Sequence, residues 1–176
     1  MEHFAEKGYE ILYLLESIDE FVIKVIESYE NKKFVSVAGK DAAAVTDEEK
    51  ADLEQKTKDA DEVLQKIKAH LGGKVKEVRL TARLKSAAAC LTTDGEISLE
   101  MERVLRSMPG SKGFSADRVL ELNPSHPAVQ KTLALAAADE ALADRALALY
   151  SAACLNEHLP VEDAASLASR LIKLLS

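Results

Sequence analysis

The sequence contains no tryptophan, four prolines and two cysteines, Cys90 and Cys154. Neither cysteine lies in a CxxC pair or a cysteine–histidine cluster, so the spacing supports neither a zinc site nor a disulfide framework. We interpret both cysteines as small buried apolar residues in a reducing compartment, and we predict a cytoplasmic protein.

Clustered positive charge and a long uninterrupted apolar run are also missing. The formal net charge is −7, and the basic residues are interspersed with acidic ones. Because binding to a phosphate backbone requires clustered lysine and arginine, we expect no nucleic-acid partner. The longest apolar stretch, 133–155, is interrupted by Asp139, Glu140, Asp144 and Arg145, which argues against membrane insertion. The mixed charges after Met1 predict no signal peptide.

Patterns that carry catalysis are not found. The four histidines are scattered and lack the spacing of metal ligands, and no serine–histidine–aspartate set or kinase signature occurs. Gly72-Gly73-Lys74 follows a predicted helix and lacks the rest of a phosphate-binding loop, which favours a helix C-cap. We expect His126, between Ser125 and Pro127, to shape a turn. The sequence predicts a protein without an active site of its own.

The first 45 residues predict a small αβ unit. A strand is expected at 11–15 and another at 34–38, with a linker at 38–45. Between the strands, apolar residues recur at helical spacing, which predicts one amphipathic helix. Those residues are Ile18, Phe21, Val22, Val25, Ile26 and Tyr29.

The next stretch predicts one long helix followed by two strands. Thr46 and Glu49 form a capping box, an apolar stripe runs from Leu53 to Leu71, and Gly72-Gly73 ends the helix. Extended segments are expected at 75–81 and 89–93, and they are suited to antiparallel pairing. Residues 115–122 predict a capped turn that Asn123-Pro124 ends.

A short amphipathic helix is predicted at 96–108. One face carries Ile97, Met101, Val104, Leu105 and Met108. Such a face usually packs into a core. However, loop signals flank the helix on both sides, and methionine suits adaptable binding surfaces, so the sequence also allows an exposed face.

Three helices are predicted at the end of the chain, at 127–137, 139–156 and 161–175. Each of the last two is apolar on more than one flank, which a single two-helix contact cannot bury. We therefore predict that a second copy completes an intermolecular four-helix bundle. The predicted interface consists of Leu142, Ala146, Leu149, Ala153, Val161, Ala164, Ala168, Leu171 and Leu175.

Three stretches, in their order and spacing, resemble the HtpG family of ninety-kilodalton heat-shock chaperones. They are Lys7-Gly-Tyr-Glu-Ile-Leu-Tyr-Leu-Leu-Glu-Ser-Ile-Asp-Glu-Phe21, Val78-Arg-Leu-Thr-Ala-Arg-Leu84 and Glu121-Leu-Asn-Pro-Ser-His-Pro127. The resemblance implies that residues 1–45 are the tail of the family's middle domain. It also implies that residues 46–176 are its C-terminal dimerisation domain.

The same resemblance implies two functional surfaces. The family dimerises through its final two helices, and it presents an amphipathic helix to unfolded client proteins. The residues at matching client-facing positions are Phe21, Ile97, Met101, Val104, Leu105 and Met108. The family's ATP-binding domain has no counterpart here, so no ATPase activity and no cofactor are expected for this fragment, although ATP and magnesium serve the full-length family. The acidic tail of eukaryotic cytosolic members is likewise not matched.

The sequence thus predicts an α+β fold with small mixed sheets covered by helices. The predicted function is dimerisation and client contact for an ATP-dependent chaperone that assists protein folding, with a homodimer and unfolded proteins as partners. The alternative is a free-standing dimeric helical adaptor that binds one defined protein through the 97–108 face.

Overall fold

A computed structural model describes residues 10–16, 18–36, 47–95, 97–108, 115–161 and 163–175. Helices and small sheets alternate along these residues, which confirms the predicted α+β class. The seven described helices are α1 Asp19–Ile26, α2 Asp47–Asp59, α3 Asp61–His70, α4 Leu99–Ser107, α5 Pro127–Leu133, α6 Ala141–Asn156 and α7 Ala164–Leu175. The five described strands are β1 Ser28–Tyr29, β2 Lys32–Lys33, β3 Glu77–Leu80, β4 Ala89–Thr93 and β5 Arg118–Leu122.

The chain forms two compact units. One consists of Met1–Ala44 and Thr92–Asp117, and the other of Val45–Leu91 and Arg118–Ser176. The first unit thus contains both the αβ segment and the amphipathic helix α4. The predicted linker at 38–45 lies outside the described residues, and the predicted domain boundary stays a prediction.

In the first unit, α1 confirms the predicted helix but ends earlier. Glu27 has a φ of 57°, which ends the helix, so Tyr29 lies in β1. The chain turns at Glu30 and Asn31, whose φ values of 46° and 64° are those of a two-residue hairpin turn. The strand predicted at 11–15 is not formed, since residues 10–15, which are exposed except for the partly exposed Ile11, have no strand neighbour among the described residues. The second predicted strand lies earlier, at β2.

In the second unit, the predicted long helix is divided into α2 and α3. Ala60, with φ −98° and ψ 1°, separates the two helices, and Asp61 and Glu62 occupy the first turn of α3, where acidic side chains are favourable. The predicted capping box lies outside the described side chains. Gly72 and Gly73 have φ values of 57° and 82°, which confirms that they end the helix.

The three-stranded sheet has the order β3-β5-β4. β3 pairs with β5 in parallel, with Val78 opposite Leu120. Hydrogen bonds join Asn123 N–H to the Ala88 carbonyl and Asp94 N–H to the Asp117 carbonyl, so β4 and β5 run antiparallel. The predicted direct pairing of β3 with β4 is therefore wrong, and so is the turn predicted at 115–122.

The central strand β5 is almost wholly buried. Val119, Leu120, Glu121 and Leu122 are each at most 1% exposed, although successive side chains point to opposite faces of the sheet. A strand covered on both faces shows no alternation of polar and apolar residues, which is why its sequence did not predict a strand.

Helices that precede and follow the sheet strands in the sequence complete the core of the second unit. The end of α3 contributes Leu64, Ile67 and Leu71, which are 2% exposed or less, and α3 packs against β3 and α6. Pro127 opens α5, and His126 caps it, because its Nδ1 accepts a hydrogen bond from Ala128 N–H at 3.2 Å. The predicted role of His126 in shaping this turn is confirmed.

Candidate functional site

The first candidate surface is the apolar face of α4. Ser98 caps the helix, since its Oγ accepts a hydrogen bond from Met101 N–H at 3.0 Å. The structure places Met108 half-exposed, at 50%, and leaves four of the predicted client-facing residues only partly accessible. Those four are Ile97, Met101, Val104 and Leu105. The face is therefore neither fully core nor fully open.

Two side-chain contacts join α4 to α1. Ser98 Oγ donates a hydrogen bond to Glu20 Oε2 at 2.6 Å, and Lys24 Nζ lies 3.0 Å from Met101 Sδ. Phe21, the remaining predicted client-facing residue, is partly exposed on α1. The structure thus brings the helix that carries Phe21 next to the helix that carries Met101. The family resemblance predicted that both helices face clients, but the sequence did not predict that they touch.

The first unit buries little of its apolar surface. None of the described residues of α1 is buried, and Ala116 is the one fully buried apolar residue among those described in this unit. Exposed large apolar side chains are Leu12, Tyr13, Leu14, Leu15, Ile18, Val22, Val25, Ile26, Tyr29 and Val35. Leu12, Tyr13, Leu14 and Leu15 are consecutive in the sequence, and a concentration of exposed apolar side chains is typical of interaction sites.

The second candidate surface lies on α6 and α7, and the structure divides the predicted interface residues into two groups. On α6, the predicted stripe is covered by the chain itself: Leu142, Ala146 and Ala153 are 0% exposed, and Leu149 is 6% exposed. A second copy cannot touch these four side chains in this arrangement. They form part of the core, and their place in an interface requires correction.

The remaining residues of the predicted interface lie on or next to α7, and those whose side chains are described are accessible. Ala164, Ala168 and Leu171 are exposed, Val161 is partly exposed, and the side chain of Leu175 lies outside the described part. Two apolar residues that the sequence did not single out are more exposed than Leu171, which is 42% exposed: Leu155 at 59% and Ile172 at 69%. The accessible apolar surface therefore lies on α7 and on the end of α6.

A buried carboxylate on α6, that of Asp144, forms polar contacts with two basic residues of α7. Asp144 is 5% exposed, forms an ion pair with Arg170 and accepts a hydrogen bond from Lys173 Nζ at 2.9 Å. The hydrogen bond from Lys173 lowers the pKa of Asp144; burial opposes this effect and Arg170 reinforces it, so the pKa lies below its ordinary value. The neighbouring Arg145 Nε is buried without a hydrogen-bond partner among the described residues.

A second buried carboxylate lies on the central strand. Glu121 accepts hydrogen bonds from Arg79 Nε at 3.0 Å and from Arg83 Nε at 3.1 Å. Burial pushes the pKa of Glu121 upward, but the charges and hydrogen bonds of Arg83 and Arg79 outweigh burial and hold the pKa below its ordinary value. The sequence did not single out this cluster, although an acid within an apolar run and two arginines, each between two apolar residues, were available signals.

The cysteines lie apart from any reactive arrangement. Cys154 is 2% exposed, whereas Cys90 is partly exposed, with its Sγ 4.0 Å from Glu121 Oε2. Burial, together with the Glu121 carboxylate, raises the pKa of Cys90 to about 12. A thiol with so high a pKa is a poor nucleophile at neutral pH.

The part of the chain that the structure describes shows no sign of a metal site or a membrane-spanning helix. There, histidine, cysteine and acidic side chains form no group of three that is arranged to hold a metal ion. None of the described helices combines the length and the apolar character needed to cross a bilayer.

Comparison with known proteins identifies the family. The family model described as "Hsp90 protein" matches residues 1–176. "Chaperone protein HtpG" of Halalkalibacterium halodurans is 42% identical over 176 residues, and its namesake in Bacillus subtilis is 40% identical over 175. The HtpG of Clostridium acetobutylicum is likewise 40% identical over 175 residues. Each match covers 99% of this chain, and the chain spans 28% of the length of each relative. The chain therefore belongs to the Hsp90 family of ATPase chaperones.

Proposed function

We propose that this chain is the C-terminal part of a cytoplasmic HtpG-type chaperone of the heat-shock response. In this proposal residues 1–45 are the tail of the middle domain, and residues 46–176 form the dimerisation domain. The chain's 28% share of its relatives leaves room for an ATPase domain elsewhere. This region binds neither ATP nor magnesium and supplies dimerisation and client contact.

The proposed interface is the accessible surface of α7 together with the end of α6. Leu155, Leu171 and Ile172 are exposed there, and a second copy would cover them in an intermolecular four-helix bundle. Ala164 and Ala168 present small side chains beside them, which permits close helix approach. The buried α6 stripe has a supporting role, because it anchors the helix that carries Leu155. The exposed apolar surface of α7 is the observation that carries this proposal.

The proposed client site is the first unit. Phe21 on α1 and Met101, Val104 and Leu105 on α4 contribute apolar surface, and exposed side chains of residues 12–35 extend it. Methionine and aliphatic side chains adapt to many apolar sequences, which suits unfolded proteins of varied sequence.

Dimerisation contributes to the chaperone by linkage. Holding two protomers together raises the effective concentration of their distant ATPase domains toward one another, to about the millimolar range for a suitable tether. Nucleotide-driven closure of the two arms then becomes an intramolecular event. Loss of the interface weakens this coupling and leaves nucleotide binding intact.

Light scattering after size-exclusion chromatography, over a wide range of dilution, tests the proposed interface. A mass near twice 19.1 kDa that persists on dilution is the expected result. A monomer at every concentration would contradict the proposal.

One observation favours a second candidate function. The apolar stripe of α6 is already buried within a single chain, so most of this helix needs no second copy to cover it. The stripe consists of Leu142, Ala146, Leu149 and Ala153. In that case the chain acts as an adaptor that binds one defined protein through the 97–108 face. Binding to a set of unrelated unfolded proteins distinguishes the two functions: broad binding supports the chaperone, and a sharp preference for one peptide supports the adaptor.

A further inference from the structure

The face of α4 proposed to contact clients is half-covered in this structure, and a small polar ring lies where α4 meets α1. We infer that Glu20, Lys24, Ser98 and Met101 form a latch that holds α4 against α1 and limits access to its apolar face. This inference rests on the proposed client contact. Apolar segments of unfolded proteins are the ligands that an open latch admits.

The ring is closed, since each member contacts the next. Ser98 Oγ donates to Glu20 Oε2 at 2.6 Å, and Glu20 Oε1 lies 3.8 Å from Lys24 Nζ. Lys24 Nζ in turn donates to Met101 Sδ at 3.0 Å, and Met101 N–H donates to Ser98 Oγ at 3.0 Å. The Ser98 hydroxyl therefore donates a hydrogen bond to Glu20 on α1 and accepts one from Met101 N–H on α4. The cap of α4 and the position of α4 depend on the same side chain.

Little apolar burial supplements this ring. α1 has no buried residue among those described, and Glu102 is the one described residue of α4 that is fully buried. The side chains of Lys24 and Glu20 are 43% and 24% exposed, so water competes for their contact. Segments with few buried apolar contacts open at low free-energy cost. The polar ring therefore contributes to how often α4 separates from α1.

Opening the latch increases the accessibility of the Met101 thioether and of the neighbouring apolar residues. Met101 accessibility can be followed chemically, because hydrogen peroxide transfers one oxygen atom to an accessible thioether and gives a sulfoxide and water. Met108 lies at the other end of the same helix and is already 50% exposed, so it serves as an internal reference.

The test compares the 176-residue chain with three variants. Glu20→Ala removes both contacts of the carboxylate, and Glu20→Gln keeps an acceptor for the Ser98 hydroxyl. Glu16→Ala makes the same truncation at an exposed position four residues earlier, before the start of α1. Peptide mass spectrometry measures the peroxide oxidation rates of Met101 and Met108, and fluorescence anisotropy measures affinity for a labelled, permanently unfolded carboxymethylated protein.

Glu20→Ala is expected to raise the Met101 oxidation rate and the affinity for the unfolded protein by about threefold each. Met108 oxidation stays unchanged, Glu20→Gln gives smaller changes, and Glu16→Ala gives none. Unchanged Met101 oxidation, or faster oxidation with unchanged affinity, overturns the latch. Absence of binding by the wild-type chain and by every variant overturns the proposed client contact instead.

Discussion

Arg79 on β3 and Glu121 on β5 lie directly opposite each other in the parallel register, and their side chains form an ion pair. The second oxygen of the same carboxylate pairs with Arg83. The Glu121 side chain is 2% exposed, so this charge is removed from water on the central strand and is compensated by two guanidinium groups. The contact therefore connects strand pairing to the stability of the second unit.

Glu121→Gln is expected to destabilise the chain by about 3 kcal/mol, because it leaves two partly buried arginines without their shared carboxylate. Urea unfolding followed by circular dichroism measures the change. Asp52→Asn is the matched control, since it breaks an exposed ion pair. The side chain of Asp52 is 63% exposed, and that of its partner Lys56 is 48% exposed. Its effect should be about 0.5 kcal/mol or less. Equal effects of the two substitutions would contradict the role assigned to the cluster.

The stability should depend on pH in the acid range. The folded-state pKa of Glu121 lies below its ordinary value of 4.5, so the unfolded chain takes up the proton first as the pH falls. The contribution of Glu121 is thus fully present well above pH 4.5 and is lost as the pH falls from there through the folded-state pKa. Urea unfolding of wild type and Glu121→Gln between about pH 7 and pH 3 should show the difference between them narrowing. A difference that is constant over this range would argue against an ionised Glu121.

Cys90 should resist alkylation in the folded chain. Its pKa of about 12, against an ordinary 9.0, makes its thiolate fraction about a thousandfold smaller near pH 8. Iodoacetamide labelling, followed by mass spectrometry, should be at least about a hundredfold slower in the native chain than in urea. A Cys154→Ala variant isolates the signal of Cys90. Rapid labelling of the native chain would show that the thiol is ionised.

Leu171→Glu and Leu149→Glu should have different consequences, although the sequence assigned both residues to the interface. Leu171 is 42% exposed, so the introduced charge should leave the fold intact and raise the dimer dissociation constant by about a hundredfold or more. Leu149 is 6% exposed, so the charge should unfold the second unit. Light scattering and thermal unfolding separate the two effects.

Ala51→Glu, which adds the same charge at an exposed position of α2, should change neither oligomeric state nor melting temperature. Dimers that persist in Leu171→Glu would place the interface elsewhere.

Local sequence patterns are sufficient to predict some features of this fold. The helix-ending glycines, the cap at His126 and the amphipathic helix α4 follow from a few neighbouring residues, and the structure confirms each. The central strand β5 cannot be predicted in this way, because its apolar pattern resembles that of any short buried segment. Periodicity also identified the apolar stripe of Leu142, but it cannot show whether such a stripe faces its own chain or a second copy. Contacts between side chains that are distant in the sequence, such as that of Ser98 with Glu20, are not marked by any local sequence pattern and so could not be predicted.

The position of β5 between β3 and β4 has a consequence for synthesis of the chain. β3 and β4 leave the ribosome first, and each presents a strand edge whose partner has not yet been made. The register of Glu77 with Val119 joins residues 42 positions apart, so the sheet forms only after the intervening segment is synthesised. Until then the two edges are available to other chains, so this interval carries a risk of aggregation. A protein of the chaperone family thus has, in its own folding, a stage that benefits from protection.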